Sequence, residues 1–148
     1  MAPGEQTKIS HTELVDATNA AGFFQLLGIR IEMTEAGKGK ASISVDERLM
    51  HPQMIVHGGV PFTLADTAMS MAILSLHPLG TRISTIEAKI NYLLPIRTGE
   101  LVAEASIVQH GRSIAVLEAT VYNIVEGTSQ AVARIMGTFH IGQPRKTE

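Results

Sequence analysis

"HGGVPFTLADTAMSMAILSLH", residues 57–77, reads as a long apolar helix that carries one charge. Between Leu49 and Thr81 the only formally charged side chain is Asp66. An ionised carboxylate in such surroundings is costly unless it is paired, hydrogen-bonded or put to use. The helix is expected to start near Gly59 and to end before Pro78 and Gly80. Thr63, Asp66, Thr67 and Ser70 are spaced i, i+3, i+4, i+7, which puts them on one face. The rest of the circumference, Val60 to Leu76, is apolar. Such a helix is wrapped by a sheet, and its polar stripe looks at another subunit, a cleft or a ligand.

The flanking sequence supplies that sheet. "SHTELVDATNAAG" opens with Ser10 and Glu13 at capping-box spacing and predicts a short helix. "GIRIEMTEAGKGKASISV" alternates around a turn-rich centre and predicts a hairpin. After the long helix, "RISTIEAKINYLL" alternates with Ile86, Ala88, Ile90 and Tyr92 on one face. "LVAEASIVQH", "SIAVLEATVYNIV" and "QAVARIMGTFHI" follow across short turns, as in an antiparallel sheet. The order is α-β-β-α-β-β-β-β, an α+β fold with a long central helix in a curved antiparallel sheet. One domain over 10–142 is expected, with flexible ends at 1–9 and 143–148.

Composition narrows the function classes. The 148 residues are 45% hydrophobic and 18% charged, with a net charge of −2. That charge gives no reason to expect nucleic acid or an anionic membrane as partner. With no Cys, disulfide scaffolds, Cys nucleophiles and thiolate metal sites are excluded. "MAPGEQTKIS" lacks the apolar core of a secretory signal, and residues 60–76 are polar and short for a membrane span. A soluble, cytoplasmic protein is expected. His11, His51, His57, His77, His110 and His140 form no H-x-H or H-x-x-x-H pair, so no metal site is expected. G-x-S-x-G and P-loop patterns are absent.

The start of the helix gives Asp66 a possible task. Taken alone, a mid-helix Asp reads as a structural acid and "GG" as a tight turn. Together they place bare backbone N–H groups, at the positive end of a helix dipole, in the same chain as a buried carboxylate. Acyl-group hydrolysis needs such a pair, donors for the carbonyl oxygen and a base or nucleophile. Gly58 and Asp66 lie eight residues apart, about 12 Å along a helix axis, too far to serve one carbonyl. Two antiparallel helices related by a twofold axis would bring Gly58 of one beside Asp66 of the other. A dimer with two sites at its interface is therefore expected.

"HGGVPFTLADTA" closely resembles the signature of the hot-dog-fold acyl-CoA thioesterases, PaaI-like branch. "STIEAKINYLLPIRTGEL", "HGRSIAVLEATVYN" and "AVARIMGTFHIG" resemble its later strands, so the likeness covers about residues 25–141. The resemblance implies a hot-dog fold, dimers joined through a continuous sheet, and pairing of dimers into tetramers. It implies Asp66 as catalytic base or nucleophile and the Gly58 N–H as the carbonyl's donor. It implies a polar residue seven before that glycine, commonly Asn or Gln; here it is His51. Where a glycine is common three residues further on, this chain has Met54. Thr85 falls where some members position water, and Ser70 lies one turn past Asp66. Substrate contacts are expected at His57, Gly59, Lys89, Asn91, Arg97 and the turn Gly111, Arg112, Ser113.

The function expected from all this is hydrolysis of an aryl-acetyl or short- to medium-chain acyl-CoA, with no cofactor, because CoA is part of the substrate. The alternative is a hot-dog protein that binds acyl-CoA or another lipid without turnover. Val60, Ala65, Ala68 and Met69 suggest an apolar tunnel for the acyl group. A hydratase is disfavoured, since the residues four and five after Asp66 are Ser70 and Met71 rather than His.

Overall fold

The computed structural model of the chain describes residues 11–144. Ser10 of the capping box and the tails 1–9 and 145–148 lie outside these. Two short helices, α1 (His11–Asn19) and α2 (Gly22–Leu27), precede the hairpin β1 (Arg30–Glu35) and β2 (Lys38–Ser44). A 3₁₀ turn at Glu47–Leu49 leads to α3 (Gly59–Leu74). Strands β3 (Thr81–Tyr92), β4 (Glu100–His110), β5 (Ile114–Val125) and β6 (Thr128–Pro144) complete the chain. Residues 143 and 144, expected in the tail, extend β6, and Pro144 faces Thr81. The additional helix α2 stops at Gly28 (φ 79°), whose N–H bonds the carbonyls of Phe24 and Gln25. That left-handed cap suits a residue without Cβ.

All six strands form one antiparallel sheet in the order β1-β2-β4-β5-β6-β3. It curves around α3, whose Leu64, Met69 and Ile73 meet Ile43, Leu101, Leu117, Val121, Val132 and Phe139 in a fully buried core. Each such side chain contributes roughly 1.5–3 kcal/mol on leaving water. The closest approach is at Gly39 of β2. A Cβ there would collide with the Ala68 carbonyl oxygen and come within 2.9 Å of the Ala72 nitrogen. Glycine lets strand and helix touch backbone to backbone.

Ala65, Ala68 and Met69 are fully buried and Val60 nearly so, facing the sheet. They are core, so the expected apolar tunnel does not run along them. Thr67 also leaves the expected polar stripe and is buried. Thr63, Asp66 and Ser70 stay half-buried on the helix face that the sheet leaves uncovered.

The two sheet edges differ. On β1, the Asn19 side chain from α1 accepts from the Ile31 N–H (2.7 Å) and donates to the Ile31 carbonyl (3.4 Å). One amide thus stands in for a neighbouring strand. The outer edge of β3, 12 residues long, has no such cover among the described residues. Its predicted alternation is interrupted by a bulge between Thr85 and Glu87. The extra residue turns Ile86 out of the Ala88–Ile90 face and leaves it 55% exposed.

Candidate functional site

Asp66 sits in the middle of α3, half-buried, and accepts one hydrogen bond, from the Thr85 hydroxyl at 2.7 Å. No ion pair reaches it among the described residues. The bulge in β3 brings Thr85 against the helix. One carboxylate oxygen is thereby held, while the group as a whole keeps acceptor capacity to spare. The apolar helix therefore carries an acid fixed in direction and without a cation partner among the described residues.

The turn into α3 is built from its own backbone and His57. The His57 N–H donates to the Leu49 carbonyl (2.9 Å), and the His57 carbonyl accepts from the Val60 N–H (2.9 Å). The Gly59 N–H donates to His57 Nδ1 at 2.9 Å. His57 therefore shapes the turn, with its proton on Nε2 in the neutral ring. The Gly58 N–H has no acceptor among the described residues. Of two neighbouring glycines at a helix start, one amide is occupied and the other free. A free N–H at the positive end of a helix suits an anion or a developing oxyanion. Pro61 in the first turn is buried and leaves no orphan donor.

Beside this turn lies an apolar cavity of about 340 Å³. His51, Gly58 and Tyr92 form its polar part, and Ile55, Val56, Pro61 and Leu93–Ile96 its apolar walls. Its wall after β3 had no signal in the sequence, because "LLPI" reads as the end of a strand. His51 is half-buried, and its Nδ1 accepts from the Gln53 N–H at 3.0 Å. Met54 takes a left-handed conformation (φ 58°), so the loop keeps a glycine-like backbone at a residue with a long side chain.

The other expected site residues are not gathered here. Lys89 and Asn91 bond each other (2.8 Å) and line a second depression of about 420 Å³ with Glu118, Arg134 and Met136. They are exposed, alternating with the half-buried Ala88 and Ile90, and so point away from α3. Arg97 is exposed in the loop after the first cavity's wall, and Ser70 follows Asp66 by one turn. Gly111, Arg112 and Ser113 form the β4–β5 turn, closed by the Gly111 N–H to the Ile114 carbonyl (2.8 Å). Beyond the sequence patterns, the fold joins His77, after α3, to His110, ending β4, with their Nε2 atoms 2.9 Å apart. Partial burial, then the neighbouring imidazole, pushes the His77 pKa below its usual value. No group of three metal-ligating side chains is found among the described residues.

Comparison with known proteins gives concordant results. The family model described as "Thioesterase superfamily" matches residues 53–129. The chain is 28% identical over 128 residues to acyl-coenzyme A thioesterase 13 of Homo sapiens, covering 84% of this chain and 89% of that protein. It superposes on a thioesterase family protein from Silicibacter pomeroyi with a TM-score of 0.82 at 27% identity, covering 90% of this chain and 98% of the other. The PaaI protein of the E. coli phenylacetic acid degradation operon shares the fold, with a TM-score of 0.78 at 23% identity over 90% of this chain and 93% of its own.

Proposed function

This chain belongs to the thioesterase superfamily, and from that premise we propose that it hydrolyses an acyl-CoA thioester to the free acid and CoA. The observation that carries the reading is that, among the described residues, Asp66 has no cation partner and the Gly58 N–H no acceptor. Likeness to an acyl-CoA thioesterase over most of both chains supports the choice of substrate.

In the proposed reaction the thioester carbonyl accepts from the Gly58 N–H. Asp66 of a second copy takes a proton from water, and the water oxygen bonds to the acyl carbon. Negative charge collects on the former carbonyl oxygen, where the fixed amide stabilises it. The C–S bond then breaks, sulfur keeps the electron pair and takes up the proton, and acid and CoA leave. Direct attack by Asp66, giving a mixed anhydride that water then opens, uses the same two groups. Neither route calls on a metal or redox cofactor. His51, at the cavity edge, has Nε2 in reserve to hold the water.

The second copy is required by distance. Within one chain Gly58 and Asp66 are about 12 Å apart, whereas the carbonyl needs its donor within about 3 Å and its base no more than one water further away. The open β3 edge, which carries Thr85 beside Asp66, is the natural place for pairing, since a long uncovered strand seeks a partner. The acyl group is assigned to the cavity beside Gly58, whose walls are apolar apart from His51, Gly58 and Tyr92. A panel of aryl-acetyl and straight-chain acyl-CoAs, with released thiol detected, tests the reading. Turnover of at least one is expected. Binding of acyl-CoA without thiol release would favour a carrier and overturn it.

A further inference from the structure

Among the described residues, one side chain from outside the turn that presents Gly58 holds it: Tyr92. Its hydroxyl donates to the Gly58 carbonyl at 2.8 Å. The helix's own bond to that carbonyl, from the Phe62 N–H, is long at 3.4 Å. The tip of the ring also covers the glycine: a Cβ at position 58 would lie 3.0 Å from both Tyr92 Cζ and the hydroxyl oxygen. The peptide unit between Gly58 and Gly59 is thus fastened at both ends, its carbonyl by Tyr92 and its N–H by His57 Nδ1. The preceding unit is fastened at its carbonyl by the Val60 N–H. Its remaining group is the free Gly58 N–H.

A glycine has no Cβ to limit rotation, so the direction of that N–H depends on these fastenings. All except Tyr92 come from residues 57–62, within the turn itself. Tyr92 comes from the far end of β3, the strand whose Thr85 holds Asp66. One strand therefore sets the direction of both groups.

We propose that Tyr92 is a positioning residue for the oxyanion donor, aiming the Gly58 N–H by holding the adjoining carbonyl. The inference rests on the hydrolase reading above. A donor misdirected by a fraction of an ångström loses part of the transition-state stabilisation that a fixed amide supplies.

The test is Tyr92→Phe, which keeps the ring and removes the hydroxyl. On the best thioester of the panel, kcat should fall about tenfold, less than the 10²–10³-fold typical of losing a donor. KM should stay within about twofold, and the melting temperature should barely move. In ¹⁵N–¹H spectra the Gly58 and Gly59 amides should shift while those of β4 and β5 do not. Gly58→Ala should push the ring off the turn, so adding Tyr92→Phe to it should cost little more. Wild-type kcat in Tyr92→Phe, or a loss that only tracks unfolding, overturns the inference and leaves the hydrolase reading intact. A wild-type protein inert towards every thioester overturns both.

Discussion

At the residue scale, Asp66 acquires its meaning from what surrounds it. Among the described residues it has one hydroxyl partner and no cation, which leaves more acceptor capacity unused than a purely structural role would. Asp66→Asn keeps the shape and can still accept from Thr85, so the fold should survive. Its kcat should drop by about 10²–10⁴-fold, the usual worth of a general base, with circular dichroism unchanged. Full turnover in that variant would remove Asp66 from the mechanism. His51 and Met54 show how neighbouring positions adapt. The imidazole binds the loop's own Gln53 N–H, and Met54 takes a left-handed backbone.

At the scale of elements, α3 is gripped by the sheet at the Gly39 crossing. Gly39→Ala would drive a methyl into the α3 backbone, which cannot swing aside as a side chain can. A destabilisation of about 3 kcal/mol is expected, at the upper end of overpacking costs, measurable by urea unfolding. The far end of α3 is tied to β4 through His77 and His110. A His whose folded pKa lies below its unfolded value, here 6.5, binds less proton when folded. Its stabilising effect is complete above about pH 7 and is lost as pH falls through 6.5 towards the folded pKa. The melting temperature of His77→Gln should therefore depend less on pH than that of the wild type between pH 7.5 and 5.5. Parallel curves would exclude this linkage.

At the scale of the whole molecule, the contrast between the two edges bears on the proposed dimer. β1 is closed by α1 and Asn19, whereas β3 offers 12 residues of backbone and an exposed Ile86. Ile86→Lys puts a charge on that edge, a substitution that discourages strand pairing. With the proposed shared site, sedimentation velocity should show a dimer for the wild type and a monomer for this variant, and activity should fall with the shift. A fully active monomer would refute the shared site. No helix of the described residues is long and apolar enough to cross a membrane.

The α+β class, the extent of α3 and the order of elements apart from α2 could be read from local signals, and the same signals single out "HGG" and Asp66 as candidates. Periodicity, capping and turn residues act over a few positions, and a lone acid in an apolar run stands out without coordinates. Which glycine amide stays free could not be read, because it depends on where the His57 ring points. The bulge that turns Ile86 outward and Thr85 onto Asp66 was equally hidden, since an alternating strand does not announce an extra residue. Thr67 and the small residues of α3 were misassigned because helical spacing gives a face but not what packs against it. Tyr92, the "LLPI" wall and the His77–His110 pair depend on contacts between residues more than 30 positions apart, and only the closed chain brings those together.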